Sequence, residues 1–193
     1  MLGLKLATDP RWVNIVEKNI HDILTDHAYC EQKAASNAIS MAIRYPEYSE
    51  LVTSMIDLAQ EELEHFNMVH EKILDRGMQL GKEKRDSYVN DLLGFIEKGG
   101  AREVVLVDRL LFAAMVEARS CERFRLLSKE ISDETLREFY NELMISEANH
   151  YTMFITFAKK LGKGVDVEKR WQEMLDFEAG IMQKYSTSET MHG

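Results

Sequence analysis

Two short segments of this chain share one form. Glu62-Leu63-Glu64-His65 and Glu147-Ala148-Asn149-His150 each set a glutamate and a histidine three residues apart. On a helix that spacing sends both side chains out of one face, about one turn apart. Each segment follows a glutamate embedded in an apolar helical pattern: Glu31 stands 31 positions before Glu62, and Glu117 stands 30 before Glu147. Four carboxylates and two imidazoles, delivered by four helices, are the ligand set of a carboxylate-bridged two-metal centre inside a helix bundle.

Height along the helices tests this pairing. Glu31 lies 13 residues before Arg44, where the first long helix should end, and Glu62 lies 13 after Ser49, where the second should begin. In an antiparallel hairpin the two come level. Glu117 lies 12 residues before Lys129 and Glu147 lies 14 after Asp133, so the second hairpin behaves in the same way. Glu122 competes with Glu117, because Cys121-Glu122 echoes Cys30-Glu31. Its height is wrong by more than a turn and it points away from the Glu117 face, so Glu117 is preferred. Glu61 and Glu64 face elsewhere and read as solvated or as supporting the ligands from outside. Of the six histidines, His65 and His150 occupy matched frames; His27 and His70 could be donors that support the ligands or simple surface residues, and the surface reading is preferred, while His192 falls in the tail.

Four buried, ionised glutamates would repel one another and lose their hydration. Two divalent cations balance them. An oxygen and nitrogen donor set without thiolate suits iron or manganese better than structural zinc, and six protein ligands leave positions on each ion for water or dioxygen.

The elements that must hold these residues are helical. Only two prolines and ten glycines interrupt 193 residues, and long stretches are rich in Ala, Glu, Lys, Leu and Met. Asp9 and Pro10 open a first helix that runs some thirty residues to Arg44-Tyr45, stopped by Pro46. A second runs from Ser49 to Arg76 with Gly77 as a left-handed cap. A long polar segment follows from Gly77 to Gly100, with room for a short helix between Ser87 and Lys98. The third helix spans Ala101 to Ser128. The fourth starts at a Ser132-Asp133 cap and ends at Lys159-Lys160-Leu161, and a fifth covers Asp166 to Lys184. The expected organisation is one all-α domain over residues 1–185 and a disordered tail over 186–193. No apolar run approaches membrane-spanning length. Cys30 and Cys121, unpaired in spacing, suit buried reduced thiols and a cytoplasmic setting. A net charge of −9 argues against bulk attraction to nucleic acid but leaves room for a local basic surface.

Several stretches carry a more specific signal. Thr25-Asp26-His27-Ala28-Tyr29-Cys30-Glu31-Gln32-Lys33-Ala34-Ala35-Ser36, Glu61-Glu62-Leu63-Glu64-His65-Phe66, Asp108-Arg109-Leu110-Leu111 and Glu117-Ala118-Arg119-Ser120-Cys121-Glu122-Arg123-Phe124 resemble the tRNA hydroxylases that act on 2-methylthio-isopentenyladenosine. Arg44-Tyr45-Pro46 and Ser146-Glu147 through His150-Tyr151 fit the same pattern, and the resemblance runs from about Leu6 to Gly162. It implies a ferritin-like four-helix bundle with extra short helices and a long crossover between the second and third long helices. It also implies a non-haem two-iron site, dioxygen as co-substrate, and hydroxylation of the isopentenyl group on the adenosine beside the anticodon. The family's ligand positions fall on Glu31, Glu62, His65, Glu117, Glu147 and His150.

Such chemistry needs an external electron donor, of ferredoxin type, because no flavin or nicotinamide motif is present. The tRNA anticodon loop is the expected macromolecular partner, with Lys82, Lys84, Arg85, Arg109 and Arg119 as candidate phosphate contacts and Arg102, Arg123 and Arg125 beside them. Two other functions compete: a ferritin-like iron store or peroxide-reducing protein, and a metal-free helical interaction module.

Overall fold

The computed structural model describes residues 2–185 and 190–192. Among these residues seven α-helices and one 3-10 turn account for the regular structure, and no strand is present. They are α1 (Trp12–Lys18), α2 (Ile20–Arg44), α3 (Ser49–Leu74), α4 (Ser87–Leu92), α5 (Arg102–Glu130), α6 (Glu134–Leu161) and α7 (Val167–Tyr185), with the 3-10 turn at Leu93–Phe95. No helix among the described residues is long and apolar enough to cross a membrane.

Four helix ends follow from local chemistry. At the end of α3 Gly77 takes φ +67°, a conformation other residues rarely adopt. The Met78 N–H then reaches the Ile73 carbonyl (3.2 Å) and the Gly77 N–H the Leu74 carbonyl (2.8 Å), which closes a Schellman motif. Asp86 caps α4 through the Val89 N–H (2.8 Å), and Asp133 caps α6 through the N–H groups of Thr135 and Leu136 (3.0 and 3.2 Å). Asp166 lies just outside α7 and accepts from the Lys169 N–H (3.0 Å).

Two expectations about the helices change. The first long helix is two: Asn19 sits at φ −130°, ψ 35° and separates α1 from α2. Asparagine favours such local departures because its side chain competes with the helical hydrogen bonds. The short helix expected from Ser87 to Lys98 leaves α geometry at Leu92 and tightens into the 3-10 turn around Gly94, the weakest helix former in the segment.

The chain divides into two compact units. One holds α2 and α3. A four-residue link, Tyr45–Tyr48, folds these two long helices back on each other, and their shared apolar stripe includes Ala28, Ala35, Ala38, Leu51, Met55, Leu58 and Val69, all buried. Burying each larger member is worth about 1.5–3 kcal/mol. The polar segment after α3 forms a strap along α2, held by hydrogen bonds near Gly81 while its charged side chains are exposed. The Gly81 N–H donates to Thr25 Oγ1 (3.2 Å), the Tyr29 hydroxyl to the Gly81 carbonyl (3.1 Å), and the His21 Nε2–H to the Gln79 carbonyl (2.7 Å). A Cβ at Gly81 would come within 3.1 Å of Thr25, so only glycine fits this approach without displacing its neighbour.

The other unit contains α4–α7 and nearly all of α1. The Ile131–Asp133 link makes α5 and α6 a second hairpin, and Phe124 and Tyr140 meet across it at 5.3 Å between ring centroids. α7 is tied to α5 by two ion pairs, one half-buried and one fully buried. Arg170 grips Asp108 with two hydrogen bonds (2.6 and 2.8 Å) and lies over the Phe95 ring. Arg119 donates twice to Glu178 Oε1 (3.0 and 2.6 Å), an oxygen that also accepts from the Tyr88 hydroxyl (3.1 Å). Burial and then the Glu178 charge push the Tyr88 phenol well above its usual range.

Of the tail expected over residues 186–193, residues 190–192 are described. Residues 186–189 and 193 lie outside the described residues. Met191 is fully buried, and its N–H donates to Asp26 Oδ2 (2.6 Å) in the α2–α3 unit. His192 is buried in the other unit, with Nε2 at 3.0 Å from Ser120 Oγ and Nδ1 at 3.3 Å from Asp86 Oδ2. Partners distant in sequence hold these residues, so composition near the chain end does not reveal them.

Candidate metal centre

In the α2–α3 unit, Glu31 comes from the middle of α2, and Glu62 and His65 from successive turns of α3. One ligand atom from each lies within 4.8 Å of the others, and all three residues are buried. His65 Nδ1 stands 3.4 Å from Glu62 Oε2. Glu61 and Glu64 are exposed, with Glu61 at 3.9 Å from His65 Nε2. The helix phase explains the division: positions 62 and 65 share the inward stripe with Leu58 and Val69, whereas 61 and 64 fall on the outer face.

The α5–α6 hairpin repeats the arrangement. Glu117 of α5 and Glu147 and His150 of α6 are buried, with ligand atoms within 4.8 Å of one another. Ser146 Oγ lies 3.4 Å from His150 Nε2. Glu122, the competitor of Glu117, is committed elsewhere: it accepts from the Thr8 N–H (3.0 Å), the Thr8 hydroxyl (2.6 Å) and Arg119 Nη1 (3.0 Å). The structure therefore gathers the six sequence-predicted residues as two triads, each with two carboxylates and one imidazole.

Each triad is a donor set for a divalent cation. Two ionised carboxylates at 4.8 Å repel by about 3.5 kcal/mol at an effective dielectric of about 20. A doubly charged ion removes that repulsion and matches the two negative charges of one triad with a neutral histidine. Neither triad contains sulfur, and hard oxygen donors with one imidazole match iron or manganese.

For His27 the sequence favours the surface reading over that of a donor supporting the ligands. His27 is instead fully buried, with Nε2 at 2.6 Å from Glu31 Oε1. Its spacing of four residues from Glu31 was the available signal. His70 is half-buried and stacks on Phe66, and His21 anchors the strap along α2. Cys30 and Cys121 are free and buried, as expected, and burial pushes the Cys121 thiol up to about 11.

The candidate phosphate contacts separate into two classes. Lys82, Lys84 and Arg85 are exposed on the strap, with Lys84 paired to Asp22 at 2.9 Å, and Arg109 is half-buried. Arg102 and Arg125 are exposed. Arg119 is a correction: its side chain is 0% exposed and binds Glu178, Glu122 and the Leu6 carbonyl, so it cannot reach a phosphate. Arg123 is buried too, over the Trp12 ring at 4.4 Å.

A family model described as tRNA-(MS[2]IO[6]A)-hydroxylase (MiaE) matches residues 2–193. A tRNA 2-(methylsulfanyl)-N(6)-isopentenyladenosine(37) hydroxylase of Pseudomonas putida is 35% identical over 166 residues, 86% of this chain and 80% of that protein. A protein of the same name from Salmonella typhimurium is 26% identical over 212 residues, 86% of this chain and 77% of its own length. Among solved structures, a Synechococcus protein named for aldehyde deformylating oxygenase activity matches with a TM-score of 0.89 and 32% identity, over 98% of this chain and 95% of that one. The fold is ferritin-like, and the chain belongs to the tRNA-(MS[2]IO[6]A)-hydroxylase family.

Proposed function

We propose that this family member hydroxylates the isopentenyl group of 2-methylthio-isopentenyladenosine in tRNA, with dioxygen as oxidant and two iron ions held by Glu31, Glu62 and His65 together with Glu117, Glu147 and His150. The observation that carries the reading is the doubled triad of buried carboxylates and imidazole, in a chain matched by the family model over residues 2–193.

When bound, the iron pair supplies reductive activation of dioxygen and the power to oxidise an unactivated C–H bond. The chain supplies the rest. Its glutamates and histidines hold the ions by oxygen and nitrogen. Ala28, Leu58 and Val69 near one triad, and Ala114, Ala118 and Leu143 near the other, are buried apolar residues that keep water from the reacting carbon. The balance is one C–H bond, one dioxygen, two electrons and two protons in, and one C–OH and one water out. The two electrons come from an external donor of ferredoxin type. The adenosine is reached by turning it out of the anticodon loop, where bases are unpaired. Exposed Lys82, Lys84 and Arg85 and half-buried Arg109 are the remaining candidates for the loop phosphates. Action on tRNA supports a cytoplasmic setting.

The Synechococcus relative favours a second reading, oxidative removal of the carbonyl carbon from an aldehyde. One experiment separates the two. Iron-loaded protein is given reductant, isotopically labelled dioxygen and tRNA carrying the unhydroxylated nucleoside, and in parallel a long-chain aldehyde. Nucleoside mass spectrometry should show one labelled oxygen atom gained. Aldehyde turnover with an unchanged nucleoside would establish the second reading, and iron oxidation with neither product would point to storage. Glu117→Ala should abolish turnover and lower iron content; near-full values of both would remove Glu117 from the ligand set.

A further inference from the structure

We propose that His27 is a positioning residue that holds Glu31 by one oxygen and thereby makes the two metal positions unequal. The inference rests on the two-metal reading above. His27 and Glu31 stand one turn apart on α2, and Nε2 meets Oε1 at 2.6 Å, within hydrogen-bond distance. An ionised Glu31 can only accept, so His27 donates its Nε2–H. Oε1 is then engaged and the carboxylate cannot rotate freely about its last bond.

Burial gives this contact its weight. A fully buried imidazole loses its hydration, and a residue needed only to fill α2's inner face would be better apolar, as Leu24, Ala28 and Ala35 are. The second hairpin provides an internal contrast. The position four residues before Glu117 is Ala113, buried and without a side-chain donor. The two triads therefore share ligand types but differ in how their α2 and α5 glutamates are oriented from one turn upstream. Partners that orient a ligating carboxylate typically change metal affinity 10- to 100-fold.

Cobalt(II) titration of the full-length apoprotein, followed by visible absorption and calorimetry, tests this without turnover. Wild type should take up two ions. His27→Leu should weaken one of them about 10- to 100-fold and shift that ion's absorption bands. His27→Gln, which returns an N–H near the Nε2 position, should recover most of the loss. Thermal melts of the apoproteins check folding; should the leucine variant not fold, His27→Asn, too short to reach Oε1, replaces it. Unchanged binding in the variant that lacks the donor, equal weakening of both ions, or a glutamine variant no better than leucine would overturn the role of His27. Wild type that binds fewer than two ions would instead overturn the two-metal reading itself.

Discussion

Replacing Arg119 by leucine separates a structural from an RNA-binding role for this fully buried cation of α5. The guanidinium has no solvent exposure and makes four hydrogen bonds: two to Glu178, one to Glu122 and one to the Leu6 carbonyl. Burial alone would lower its pKa, but Glu178 and then Tyr88 outweigh it and hold the group above its usual value, so it is charged at any working pH. Leucine fills part of the volume and leaves Glu178, itself fully buried, facing only the Tyr88 hydroxyl among these partners. Stripping one partner from a buried pair costs about 3–5 kcal/mol. For a chain of this size that is a fall in melting temperature of about 6–20 °C. Urea denaturation of the metal-free protein measures the loss, and the double variant Arg119→Leu with Glu178→Leu should recover a large part of it. A phosphate contact behaves differently: its loss would leave stability within about 0.5 kcal/mol and reduce the salt slope of tRNA binding by about one charge. A stable Arg119→Leu variant with that reduced slope would refute the burial argument.

Charge reversal of Lys84 and Arg85 should do the converse, weakening tRNA binding and flattening its salt dependence while the melting temperature moves little; unchanged affinity would exclude the strap as an RNA contact. Cys121, 2% exposed and raised from 9.0 to about 11 by burial, should resist alkylation in the native state at pH 8, with a thiolate fraction of about 0.1%. Because the folded pKa is the higher one, the associated stability is intact below pH 9 and is lost as pH rises from 9 towards about 11, by at most about 2.7 kcal/mol. A Cys121→Ala variant should lack this alkaline decline, and equal slopes for the two proteins would remove the thiol as its source.

What could be read in the sequence was what helical periodicity converts into geometry. Glu-x-x-His twice, with an upstream glutamate at matching height, needed only 3.6 residues per turn and two short links to become two buried triads. The caps at Gly77 and Asp133 were legible because a helix end is satisfied within a few residues of itself. Arg119 was not legible in this way. Its partner Glu178 lies 59 positions away, and most faces of α5 are buried, so an arginine there has no outward stripe to betray its direction. Asn19 likewise breaks a pattern that local propensity would have allowed to continue, and Met191 and His192 are held by Asp26, Asp86 and Ser120 rather than by neighbours.

The same distinction between local and distant partners bears on the chain's acidity. A formal charge of −9 counts Glu31, Glu62, Glu117 and Glu147 as if they were surface groups. They are buried, and two divalent cations would cancel them and bring the formal charge to about −5. The field met by a polyanion is then set by what remains exposed, and exposed charges more than about 8–10 Å apart are largely screened at physiological salt. Net charge therefore overstates the repulsion between the metal-loaded protein and RNA. Local cations such as Lys82 and Arg85 on the strap can matter more than the total, and this is how an acidic chain is reconciled with a tRNA substrate.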